Sequence, residues 1–196
     1  MAYDCDASIA AKIISDCTTQ KVGGAEELGW VGRREDLVVT YDSTNPVLVT
    51  GLTTKAATKF YTIKGVKKNL NFGSDIVTAI DRADRYTHFV SFPQFEMDAA
   101  SIANLDAAKD LVFIFEAKDK SATGNGEFIL LGLKGGLHKS ADSFRINDVN
   151  GARLLEFTNM EGETETASRY IAHIGKPSPT YALTRAAIVA LESVPA

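Results

Sequence analysis

From Trp30 onward, apolar and polar positions alternate in short runs set apart by glycine, proline and acidic residues, which is the period-two signature of strands with one buried face. Trp30-Val31 and Leu37-Val38-Val39-Thr40-Tyr41 predict two strands joined across Arg33 to Asp36. Asn45-Pro46 breaks the chain, and Val47-Leu48-Val49 resumes as a short strand before a Thr, Ala and Gly segment from Thr50 to Thr58 that fits a long hairpin or a flexible loop. Phe60-Tyr61-Thr62-Ile63 and Asn69-Leu70-Asn71-Phe72 read as a strand pair, and Asp75 to Ala83 fits either a strand or a helical turn. Tyr86 to Phe92 predicts a strand that Pro93 ends or places at a sheet edge.

Leu111-Val112-Phe113-Ile114-Phe115-Glu116-Ala117 is the most apolar run, as expected of a strand covered by sheet on one side and helix on the other. Asn125-Gly126 between it and Glu127 to Leu133 is a strong hairpin signal. Further strands are predicted around Ser143 to Ile146, Ala152 to Asn159, Arg169 to Ile174 and Tyr181 to Leu191, with Pro177-Ser178-Pro179 separating the last two.

Two segments carry helical spacing instead. Ile9, Ala10, Ile13 and Ile14 predict a short amphipathic helix capped by Asp6 or Ser8, and Ile102, Leu105 and Ala108 predict a helix over about 98–110 with Asp98 as N-cap. The expected fold is therefore mainly β, an antiparallel β-sandwich or open barrel with one flanking α-helix and extended terminal arms and loops. Residues 1–24 form an N-terminal arm in this reading, 25–176 the sandwich, and 177–196 a C-terminal strand or arm of the same domain.

Composition narrows the function more than the fold. With 196 residues, 45% hydrophobic and 23% charged, the chain has the make-up of a folded domain. A net charge of −4 argues against a dedicated nucleic-acid binder, and the one basic cluster, Lys64, Lys67 and Lys68, is followed by Asp75, Asp81 and Asp84. The sequence shows neither an export-signal pattern nor an apolar span, so a cytosol-like compartment with Cys5 and Cys17 as free thiols is expected.

Chemistry is not announced by any spacing. Gly124, Gly126, Gly132, Gly135 and Gly136 match no phosphate-binding loop; His88, His138 and His173 are scattered, and His88 reads as a sheet-face residue. No catalytic residue, cofactor or metal is expected, and the chain is expected not to be an enzyme. Glu161-Gly162-Glu163-Thr164-Glu165 lacks a calcium-loop pattern and reads as a solvated turn or an acidic interaction surface. Trp30, Phe89, Phe92, Phe95, Phe113, Phe115 and Phe128 are expected in the core.

The layout resembles phage and prophage tail tube proteins, particularly those of phages of Bacteroidetes. The likeness is carried by Cys17 and Gly23-Gly24 leading into Trp30-Val31 and Arg33-Arg34-Glu35-Asp36, by Thr87-His88-Phe89, and by the helix and apolar strand ending in Phe113-Ile114-Phe115. It continues through Gly126-x-Phe128 and Leu155-Glu156-Phe157-Thr158-Asn159 followed by Glu161-Gly162-Glu163. The resemblance implies a subunit that forms hexameric rings, stacks them into a DNA-conducting tube, and contacts neighbouring tail proteins and the tape measure. It implies a place in the virion tail, with assembly in the host cytoplasm and no membrane partner.

Asp75, Asp81, Asp84, Glu161, Glu163 and Glu165 are the candidate acidic lining of such a lumen, where like charge keeps passing DNA from sticking. Thr50, Thr53, Thr54, Lys55 and Thr58 are the candidate inter-subunit loop, and this loop, the arm to Gly24 and the tail after Pro177 are expected to order on assembly. Two other classes fit the composition: a capsid decoration or head-completion protein bound to a preformed shell, and a monomeric ligand-binding β-sandwich module.

Overall fold

The computed structural model describes residues 25–64, 70–78, 83–94, 99–118, 128–144, 152–175, 178 and 180–192. Among them, β1 (Ala25–Arg33), β2 (Leu37–Tyr41), β3 (Leu48–Thr54), β4 (Tyr61–Lys64), β5 (Asn71–Val77) and β6 (Arg85–Gln94) precede helix α1 (Ala99–Ala107). Then follow β7 (Leu111–Ala117), β8 (Phe128–Leu131), β9 (His138–Phe144), β10 (Arg153–Thr158), β11 (Tyr170–Ala172) and helix α2 (Tyr181–Ala190).

The strands form a larger sheet in the order β2-β3-β11-β8-β7-β1-β4 and a smaller one in the order β5-β6-β10-β9. The only parallel pairing among them is β11 with β3. The protein is thus a mainly β sandwich with a flanking helix, as the alternating pattern predicts.

Strand β7 shows why the two layers stay together. Its odd-numbered residues Leu111, Phe113 and Phe115 pack with Val90 and Phe92 of β6 and Leu155 and Phe157 of β10, forming the core between the sheets. The Phe113 ring lies 5.1 Å from that of Phe157, and Phe72 stacks on Phe115 at 4.7 Å. Val112 and Ile114 belong to a second core with Trp30, Val49, Leu52, Phe128 and Leu130, joined by Ile188 of α2 and by Leu191.

So β7 does lie between sheet and helix, but the helix is α2. The segment from Tyr181 was expected to be a strand on its aromatic and β-branched content. It is helical because Thr180 caps it, accepting a hydrogen bond from the Leu183 N–H at 3.2 Å, and because alanine-rich sequence favours helix. Thr184 and Ile188, four apart, are its buried residues. Helix α2 is accordingly packed into the sandwich of this chain, and Leu191 accepts a backbone hydrogen bond from Phe60 at 2.8 Å.

Two other expectations need correction. β4 and β5 do not pair: β4 joins β1 in the larger sheet and β5 joins β6 in the smaller one. Thr50, Thr53 and Thr54 lie within β3, paired with β2, so the first part of the Thr/Ala segment is a strand and neither a hairpin of its own nor a loop, and only Lys55 and Thr58 belong to the connection onward. Of the two alternatives for Pro93 the edge position holds: β6 runs on to Gln94 and β5 pairs no further along it than Ser91, so among the described residues Pro93 has β10 on one side and no strand on the other. The expected N-terminal arm with Cys5 and Cys17, the Asp98 cap, Phe95, Lys67, Lys68 and the Asn125-Gly126 turn lie outside the described residues, although β7 and β8 pair antiparallel as that turn requires.

After β8 the chain turns sharply through Gly132, whose φ of +83° is left-handed. A side chain there would also place Cβ 2.6 Å from the Leu111 carbonyl oxygen. Gly132→Ala is therefore expected to lower stability by about 1–3 kcal/mol, the usual cost of a strained backbone position, measured by urea unfolding.

Candidate functional site

The smaller sheet differs from the larger one in what covers it. Alternation along β10 turns Leu155 and Phe157 into the core and leaves Glu156 exposed on the opposite face. Register carries that outer face across all four strands: Asn71 pairs with Ser91, Ser91 with Glu156, and Glu156 with Ala141. Asp75 pairs with Thr87 on the same face and is exposed. The larger sheet, by contrast, has α2 packed on its outer side.

Both outermost strands of the smaller sheet, β5 and β9, lack a partner on one side among the described residues. Both carry exposed apolar side chains: Ile76 and Val77 are 56% and 42% accessible and Phe144 is 65% accessible. Unpaired strand edges with apolar groups are ready templates for pairing with another chain. Helix α1 stands beside β9, where Asp106 binds Lys139 at 2.8 Å and Arg153 at 2.7 Å. Asp142 lies between the same two cations, and hydrogen bonds from Arg153, then Lys139, hold its carboxyl down to about 2.

The acidic residues picked out by sequence divide. Asp75 and Asp84 are exposed near one end of the β5–β6 hairpin, and Glu161 and Glu163 are exposed on the turn after β10. Glu163 stands 3.9 Å from His138 Nε2. Asp81 lies outside the described residues. Glu165 is fully buried, so it leaves the set of lumen candidates. Glu156 was missed, although the in-out-in order of Leu155, Glu156 and Phe157 is the signal for it. Phe89, expected in the core, is half-buried on the outer face opposite Gly73.

Glu165 belongs instead to a buried polar network that ties the two sheets together. Its carboxylate accepts hydrogen bonds from the N–H groups of Lys134 (3.0 Å) and Gly135 (2.9 Å) and from the Tyr170 hydroxyl (3.2 Å). Asn159 donates to the Gly136 carbonyl at 2.7 Å and accepts from the His88 N–H at 2.7 Å. His88 Nε2 bonds the Ala167 carbonyl at 2.9 Å, and its Nδ1 accepts from the Gly132 N–H at 3.0 Å. Burial lowers the His88 pKa and raises that of Tyr170, since each charged form would lose its hydration.

Beside this network, Val47, Asp84, Tyr86, Arg169 and Ile171 line an open cleft of about 470 Å3. Among the described residues there is no group of three or more His, Cys, Asp or Glu side chains placed to hold a metal, and no helix long and apolar enough to cross a membrane. Comparison with protein-family models, with curated proteins and with solved structures found no match in any of the three.

Proposed function

We propose that this protein is a self-assembling structural subunit, a tail tube protein whose copies form rings and stack into a hollow tube. One observation carries the reading: the outer face of the smaller sheet presents exposed Asn71, Asp75 and Glu156, and among the described residues β5 and β9 each lack a partner strand on one side. Its four strands alternate in direction, so β5 and β9 run oppositely. When β9 of one copy meets β5 of the next, the joint is antiparallel like every other in that sheet. Repeated around an axis, such a head-to-tail contact closes into a ring, and stacking of rings supplies the second, open-ended contact.

In that ring the outer face of the smaller sheet lines the lumen and carries Asp75 and Glu156, a lining with acidic groups that repels passing DNA. Asp84, Glu161 and Glu163 stand at the strand ends, at the mouths of each ring. The connection holding Lys55 and Thr58 is a contact to neighbouring subunits. No catalytic group, cofactor or metal enters this role, and the adjoining partners are other tail proteins and the tape measure.

Negative-stain electron microscopy and light scattering over a concentration series test the reading. Rings or tubes are expected for the natural chain. The double variant Ile76→Lys, Val77→Lys, altered only at exposed positions, is expected to remain monomeric with an unchanged circular dichroism spectrum. A natural chain that stays monomeric at every concentration would favour a decoration or head-completion protein, which waits for a preformed shell.

A further inference from the structure

The hydrogen bonds around His88 fix its protonation state by geometry. Gly132 N–H, a donor with no acceptor role, points at Nδ1, so Nδ1 must carry a lone pair; the Ala167 carbonyl, an acceptor, faces Nε2, which must carry the proton. The ring is fully buried. A second proton can enter only at Nδ1, where it would oppose the Gly132 N–H.

The surroundings contain one charge that would welcome it. Glu165, from the segment after β10, attracts an imidazolium, but its oxygens are already occupied by Lys134, Gly135, Asn159 and Tyr170. From β11 the Tyr170 ring meets His88 edge-on at 6.2 Å, and from the end of β10 the Thr158 hydroxyl donates to the His88 carbonyl. The Lys134 ammonium sits 4.3 Å over the Tyr41 ring. On β6 itself, neighbouring Tyr86 exchanges both backbone hydrogen bonds with Glu165.

We propose that His88 is an acid-released latch between the two sheets: protonation at Nδ1 expels the Gly132 N–H, frees the 132–137 turn, and opens this end of the sandwich locally. Apart from His88, the turn is anchored by the buried side chains of Leu133 and Leu137 and by a short set of polar contacts. Lys134 and Gly135 are tied through Glu165, Gly136 through Asn159, and Leu137 through one backbone pair with Leu111. The sign follows from the neutral ring in the closed form. The open form binds one more proton as pH falls below the ordinary histidine value of about 6.5, so the closed form loses ground there.

Amide hydrogen exchange by NMR on the full chain at pH 7.5, 6.5 and 5.5, corrected for intrinsic rates, tests the latch. Protection of the Gly132, Lys134 and Gly135 amides is expected to fall by up to about tenfold per pH unit below 6.5, while remaining below that of the β7 amides. In His88→Gln, which keeps a donor for Ala167 but cannot take up a proton, that pH dependence is expected to vanish. Turn protection that does not change with pH, or that equals β7 protection at every pH, would overturn the proposal. If the variant fails to fold, imidazole nitrogen shifts of the natural chain decide: a neutral Nε2–H ring at pH 6.5 supports the latch, and a doubly protonated ring there refutes it.

Discussion

Phe113→Ala is expected to remove about 3–5 kcal/mol of stability, the range for deleting a large aromatic side chain from a core. Phe113 is 1% exposed, at the middle of β7, where the two sheets meet. Its ring contacts Phe157 at 5.1 Å, Phe115 at 6.0 Å and Phe92 at 6.4 Å. These neighbours are themselves anchored in β6, β7 and β10, so a cavity at their centre would close only by shifting whole strands. Urea unfolding should show the loss as a lower midpoint at constant slope, and Phe113→Leu should recover part of it. Val38→Ala, on the edge strand β2 and 46% exposed, should change stability by no more than about 0.5 kcal/mol. A loss below about 1.5 kcal/mol for Phe113→Ala would mean that the sheets do not pack tightly there.

The sequence made β7, β6 and β10 legible because burial is written into them locally: a continuous apolar run for a strand covered on both faces, alternation for strands covered on one. What covers each face is a long-range matter. The helix on the far side of β7 is α2, whose three- and four-residue spacing of Tyr181, Thr184, Ile188 and Leu191 competes with a composition that also suits a strand. β4 and β5 look like a hairpin because they are close in sequence, yet each finds its partner in a different sheet. β2 and β4 were legible as strands but not as edges, and β9, His138–Phe144, was expected only around Ser143 to Ile146, since pairing order is decided by the whole topology.

The polar network shows a different limit. His88, Asn159, Glu165 and Tyr170 are spread over four segments, and no spacing announces that they meet. Glu165 was grouped with Glu161 and Glu163 as one acidic surface. In the structure, Gly162 takes a left-handed φ of +85°, the chain turns there, and Glu165 exchanges both backbone hydrogen bonds with Tyr86. That pairing sends its side chain inward while Glu161 and Glu163 stay in solvent. A carboxylate two residues from another on a regular strand would share its face; the turn breaks that rule.

Glu165→Ala is the other substitution with a large expected effect, about 3–5 kcal/mol, and its cause is unpaired donors more than lost packing. The carboxylate is completely buried and receives the backbone N–H groups of Lys134 and Gly135. The Gly135 amide is buried and that of Lys134 partly so, and a buried donor left without a partner costs about 1–3 kcal/mol. The Tyr170 hydroxyl keeps its contact with Thr166 at 3.0 Å, so it adds less. Glu165→Gln has nearly the same volume and keeps one carbonyl oxygen, but its amide must point a donor at other donors, so it should fall between the natural chain and the alanine variant. Thermal and urea unfolding of the three proteins give the order directly. Equal stability of the glutamine and natural proteins would show that the charge contributes nothing, and that the network holds the sheets together by shape alone.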